Sequence, residues 1–139
     1  MKISGYIIVF IFFTAISSCD KINVPDDSLE DVFGHWVRYE EWGGWGGYYY
    51  EPDERHISIS ITDFGKYYEY YDDDEMADRN YKFINGSEID MGDGYFIEFT
   101  GLANMGFNTH LRITQYSKDT LYLSDTWTDG YTYSYVRDN

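Results

Sequence analysis

The chain has 139 residues, 25 acidic against 10 basic side chains, and a formal charge of −15. That length suits a single core, and 43% apolar residues is close to the globular average, which argues against both a two-domain enzyme and a disordered acidic chain. The charge excludes sequence-independent nucleic-acid binding, which needs a basic face to displace counterions from phosphates.

The first element is an address. Lys2 supplies a short positive start, and residues 6–15 form an apolar run that ends in small residues before Cys19. Such a run is too short to span a membrane as a mature helix and has the pattern of a signal sequence. Ile16-Ser17-Ser18-Cys19 resembles the lipobox of bacterial lipoproteins. The resemblance implies removal of residues 1–18, a diacylglyceryl thioether on Cys19, and a cell-envelope location on a bacterial membrane, the outer membrane being the expected one. The alternative is an ordinary secretion signal with an incidental cysteine. Cys19 is the chain's one cysteine, so it can make no internal disulfide even in an oxidising compartment, and an acyl anchor explains its presence. Cleavage there takes away Lys2 and no acid, leaving 121 residues with 9 basic against 25 acidic side chains and a charge of −16. Residues 19–28, with Pro25 and Asp26-Asp27, show no period and read as the lipidated cysteine and a solvated tether.

Residues 29–139 read as the folded domain. No stretch of ten residues carries the 3.6-residue period there, whereas a period of two recurs between turn signals. Ile57, Ile59 and Ile61 point to one face, with His56, Ser58 and Ser60 on the other. Further strands are expected over Lys66–Tyr71, Tyr81–Ile84, Tyr95–Thr100, Thr109–Tyr116, Leu121–Asp125 and Tyr131–Arg137. Asp63-Phe64-Gly65, Asn85-Gly86, Asp93-Gly94 and Asp129-Gly130 supply the residues that tolerate positive φ in tight hairpins. No connection is as long as a crossover helix, so an antiparallel up-and-down meander follows. Closing it into a barrel removes its edges. The count is eight strands if residues 87–91 are a weak extension and nine if they stand alone; eight is adopted, with a β-sandwich as the alternative closure.

With these strands in place the chain resembles the lipocalin-like lipoproteins of bacteria. Gly34-His35-Trp36 matches that family's Gly-x-Trp at the start of the first strand, and Arg137 falls in the last strand, where the family places an arginine against the tryptophan. Phe64-Gly65-Lys66-Tyr67 and Asp119-Thr120-Leu121-Tyr122-Leu123 look like its middle and late hairpins. The resemblance implies structural roles for Gly34, Trp36 and Arg137, with Arg137 stacked on the indole at a closed end. The Thr-Asp-Tyr motif of the typical lipocalins does not occur.

Residues 41–54 form the longest gap between expected strands and hold Trp42, Trp45, Tyr48, Tyr49 and Tyr50 among glycines. In a lipocalin-like barrel the first loop is a lid, and these aromatics are candidate ligand contacts; alternatively they pack on the barrel's own core. Residues 101–107, with Met105 and Phe107, make a second apolar loop able to face the first. Tyr131, Tyr133 and Tyr135 share one face of the last strand, either lining the interior or forming an outer ladder. Asp72-Asp73-Asp74-Glu75 fails as an EF-hand loop, because Ala77 and Phe83 stand where glycine and glutamate are needed; a solvated hairpin tip is the plainer reading. His35, His56 and His110 have no zinc spacing and no nucleophile motif, so no metal, cofactor or catalytic residue is expected and the protein reads as a non-enzyme. The expected function is a lipid-anchored envelope protein that binds a small apolar or amphipathic ligand at the barrel mouth. The alternative is an interaction or glycan-binding module with a solid barrel.

Overall fold

The computed structural model describes residues 20–44, 48–50, 56–101, 109–127 and 129–138, with the side chains of 48–50 excepted. Strands β1 (Gly34–Gly43), β2 (Tyr48–Tyr50), β3 (Ile57–Ile61), β4 (Lys66–Tyr71), β5 (Asp74–Asn85), β6 (Tyr95–Thr100), β7 (His110–Tyr116), β8 (Thr120–Asp125) and β9 (Tyr131–Arg137) pair antiparallel in chain order, and β1 also pairs with β9. β9 lies along residues 36–43 of β1, while β3 takes residues 34–37 and β2 takes residues 41–43. Since β9 occupies one edge of β1 at Glu41–Gly43, β2 must lie on the other edge, in line with β3. The result is a closed up-and-down barrel of eight staves, one of them made of two pieces. The sandwich alternative is excluded by the β1–β9 seam.

Alternation along the staves decides what is inside. Trp36, Ile59, Ile61, Tyr67, Phe83, Ile97, Phe99, Ile113, Leu121, Leu123 and Tyr135 are all buried in one cluster. The hairpin tip at Asp72 and Asp73 has φ of 49° and 68°, and Tyr71 pairs with Asp74 across it, so the acid run is a two-residue turn, not a cation loop. β5 begins seven residues before the sequence suggests. Its first half is exposed and polar, which hides the alternation. Asn85-Gly86 closes no two-residue hairpin: Asn85 caps a 3-10 turn, Gly86–Glu88, in a longer connection to β6. Residues 87–91 add no strand.

The end of the barrel near Gly34 is plugged. A 3-10 helix, Asp27–Val32, starts at Asp26, whose carboxylate accepts from the Ser28 N–H, and drops Leu29 and Val32 fully buried into the barrel. Trp36 is wholly buried beside them and donates its indole N–H to the Val32 carbonyl at 2.9 Å. Gly34 has φ +144°, and a Cβ there would land on the Arg137 guanidinium, so the position suits glycine alone.

The segment before this helix differs from the expected tether. Ile22 and Val24 pack against the core, the Ile22 N–H donates to the Asp63 carbonyl at 2.9 Å, and Lys21 pairs with Asp63 at 3.0 Å. Two aliphatic side chains in seven residues are too few to show a period, yet they suffice to hold the strand-like segment to the β3–β4 turn. Among the described residues, the segment expected to be a tether is therefore held to the barrel from Lys21 onward.

Candidate functional site

Arg137 stands beside Trp36 in the β1–β9 register, with its guanidinium carbon 4.1 Å from the indole centroid. The fork donates to the carbonyls of Phe33 at 2.8 Å, Asp31 at 2.6 Å, and Lys118. One side chain thus ties the last strand to the plug helix and to the β7–β8 turn. These residues close one end and leave the other end as the site.

The opposite half of the interior is polar, which sequence reasoning missed. A cavity of about 270 Å³ lies between β1, β4, β5, β6, β7, β8 and β9. Arg38 and Glu41 from β1, Glu69 from β4, Arg79 from β5 and Asp125 from β8 line it, together with Tyr67, Tyr133 and Tyr135. Three of these charged groups fall in phase with a buried neighbour on the same strand. Arg38 follows Trp36 by two residues, Glu69 follows Tyr67, and Arg79 precedes Tyr81. The readable signal was therefore parity: a charge on the strand face that elsewhere carries Trp, Ile or Phe.

Arg38 is the most constrained of them, its side chain only 10% exposed. It donates to Glu41 at 3.1 Å and to the Tyr135 hydroxyl at 2.9 Å, and its guanidinium lies 4.4 Å from the Tyr133 ring centroid. Burial opposes its charge, but Tyr135 and Glu41 outweigh that and hold its pKa above the ordinary value. Its Nε is buried without a hydrogen-bond partner. Burial raises the Tyr135 pKa to about 12 against the opposing effect of Arg38, and burial also raises Tyr67 and Tyr133, the latter with help from Asp125. All three phenols are neutral donors at physiological pH. The Tyr133 hydroxyl donates to Asp125 at 3.1 Å.

Of the residues singled out from sequence, Tyr133 and Tyr135 line this cavity, while Tyr131 sits at the rim, 38% exposed and stacked on Tyr133. Trp42 is not in a lid loop. It lies within β1, paired with Thr132 and Tyr49, on the outer face and 57% exposed. The register shift between Arg38 and Glu40 explains it: the bulge reverses the alternation that starts at Trp36, so Glu41 lines the interior and Trp42 turns outward. Gly43, at φ +147°, lets β9 approach so closely that a Cβ would meet the Gly130 carbonyl oxygen at 2.6 Å. Tyr48–Tyr50 pair with Glu41–Gly43 as β2, so residues 41–43 and 48–50 extend the sheet within the segment where a lid loop was expected. Cys19, Trp45, Met105 and Phe107, and the side chains of Tyr48, Tyr49 and Tyr50, lie outside the described residues. Among the described residues no group of three or more His, Cys, Asp or Glu gathers for a metal ion, and no helix is long and apolar enough to cross a membrane.

Comparison with known proteins returns no matching family model, no matching curated protein and no matching solved structure.

Proposed function

We propose that the protein is a lipid-anchored, lipocalin-like envelope protein that takes a small amphipathic ligand into the open half of its barrel. The observation that carries this is the 270 Å³ cavity, lined by charged and phenolic groups together with the apolar Phe99 and Leu111. Ligand sites are typically ~300–1,000 Å³, so this one suits a small molecule at the bottom of that range. A long acyl chain is disfavoured, because the apolar half of the barrel is already filled by the plug and Trp36. Of the expected ligand classes, the amphipathic one fits better than the purely apolar one, since an apolar guest would cover charges without pairing them.

The anchor and the site are at opposite ends. Ile22 is docked on the closed end, and Cys19 is three residues earlier, a reach of about 10 Å. An acyl chain on Cys19 would hold the closed end toward the bilayer and the mouth toward water, so the ligand arrives from the aqueous side.

Thermal melting of the protein in the presence of a panel of small amphiphiles tests the reading. A ligand at a hundred times its Kd should add about 2.7 kcal/mol of stability. No shift with any member, together with no change in the melting of Leu111→Phe, which narrows the cavity, counts against it. Replacing Cys19 by alanine should move the protein from the membrane fraction to the soluble one. The interaction-module alternative draws on the exposed Trp42 and Trp127, 57% and 63% accessible. It would be favoured by oligosaccharide binding that is lost in Trp42→Ala and unaffected by Leu111→Phe.

A further inference from the structure

We propose that the ligand is a zwitterion of about amino-acid size, its anionic group held by Arg79 and its ammonium by Glu69; this rests on the binding function proposed above. Both residues line the cavity. In the β4–β5 register Tyr67 pairs with Arg79 and Glu69 with Ala77, so Glu69 and Arg79 are diagonal neighbours on the inner face. Diagonal partners across antiparallel strands are about 7–8 Å apart at the backbone, within reach of each other's side chains. Yet they form no ion pair.

The rest of the cavity's charges are engaged. Arg38 holds Glu41 at 3.1 Å, and Asp125 accepts from Tyr133 at 3.1 Å and from the Tyr131 N–H at 3.3 Å. Among the described residues, Glu69 makes neither hydrogen bond nor ion pair, and the contact of Arg79 is with the Phe99 ring, 5.2 Å from its guanidinium carbon. Tyr67, between them in the register and 2% exposed, has a hydroxyl with no hydrogen-bond partner among those residues. Three polar groups thus border one small cavity without a hydrogen-bond or ion-pair partner among the described residues, one cationic, one anionic and one neutral.

That combination selects a ligand by charge pattern. A simple anion drawn to Arg79 meets Glu69, and a simple cation drawn to Glu69 meets Arg79 and Arg38. A neutral apolar guest strips water from both charges and returns nothing. A molecule bearing an ammonium and a carboxylate satisfies both, and its apolar part has Phe99 and Leu111 to lie against. At ~30 Å³ per water the cavity holds about nine waters, which points to a ligand of roughly nine non-hydrogen atoms. Leucine has that size.

Calorimetric titration of the protein with leucine, phenylalanine, leucinamide, N-acetylleucine and dodecanoate tests this. Leucine or phenylalanine should bind, and leucinamide and N-acetylleucine, each lacking one charge, should bind roughly tenfold to a hundredfold more weakly than leucine, the span of one charge-assisted hydrogen bond. Arg79→Gln should erase the preference for leucine over leucinamide while keeping that over N-acetylleucine; Glu69→Gln should do the reverse. A misfolded variant cannot produce that crossed pattern. Equal binding of leucine and its two derivatives overturns the proposal. Binding of dodecanoate without either amino acid overturns it and leaves the broader ligand-binding function standing; binding of none of the five, with no thermal shift in the amphiphile panel, removes both.

Discussion

Replacing Arg137 by alanine should cost about 3 kcal/mol of folding stability. The guanidinium lies 4.1 Å from the Trp36 centroid, and a cation–π contact of this kind is worth about 0.5–2 kcal/mol. Of its three carbonyl partners, those of Asp31 and Lys118 belong to exposed residues and can be rehydrated, so their loss adds little. The bond to the Phe33 carbonyl is partly buried, and a hydrogen bond from a charged donor contributes about 1.5–3 kcal/mol. The two together span about 2–5 kcal/mol, and a loss of about 3 kcal/mol within that span lowers the melting temperature of a domain of this size by about 12 °C.

Equilibrium unfolding in guanidinium chloride reads the difference directly, provided the slope with denaturant stays constant. Arg137→Lys should recover only part of the loss, because an ammonium keeps the charge over the indole but cannot reach carbonyls on the plug helix and the β7–β8 turn together. Pairing each variant with Trp36→Phe isolates the ring contact as a coupling energy. An alanine variant within 1 kcal/mol of the wild type, or a lysine variant equal to arginine, would refute the assignment of this residue as the clasp of the closed end.

Two other outcomes follow from the same geometry. Burial raises the Tyr135 pKa from 10.0 to about 12 in the folded state, so its contribution is intact below pH 10 and lost as pH rises toward 12. The loss amounts to about 3 kcal/mol by linkage; Tyr135→Phe should show a shallower decline across that window by about this amount, measured as unfolding free energy against pH, and parallel curves would contradict it. Ile22→Ala should lower stability by about 1–2 kcal/mol, about half the usual cost of truncating a fully buried isoleucine, because its side chain is only partly covered. A change within about 0.3 kcal/mol would mean that residues 20–24 are the loose tether their composition suggests.

The barrel was legible because its evidence is local and repeated. Ile57, Ile59 and Ile61 announce a strand by themselves, and short connections leave only neighbours to pair with. Boundaries failed where local and tertiary demands separate. Asp74–Asn80 carries no apolar alternation because Asp74–Met76 are exposed and the half-buried positions beyond them hold Ala77 and Arg79, so its strand state is set by pairing with β4. Asn85-Gly86 has the composition of a hairpin turn, but the Asn85 carboxamide caps a 3-10 turn instead. Trp42 drew attention by its type and its glycine neighbours. Its place is decided by the bulge after Arg38, which no composition announces and which puts Glu41 inside and the indole out.

The polar interior was invisible for a different reason. Arg38, Glu69 and Arg79 are ordinary surface residues by composition; their phase with Trp36, Tyr67 and Tyr81 turns them inward, and the register sets them beside Trp36, Ile59 and Tyr67. That register also explains how the fold tolerates them. Of the fully buried side chains, Leu29, Val32, Trp36, Ile59 and Ile61 gather with the plug at the end near Gly34 and Arg137. Apolar burial at that end supplies the folding free energy, at about 25 cal/mol per Å². The other half is then released from the need to be well packed, and it can keep a guanidinium, a carboxylate and a phenol without partners at a cost the plugged half offsets. An isolated sheet could not make that division, because unpaired charge on its inner face would be exposed to water and screened. Closure creates both the dry floor and the low-dielectric wall behind Glu69 and Arg79, and under the proposed binding function it is that wall that would let the two charges discriminate between ligands.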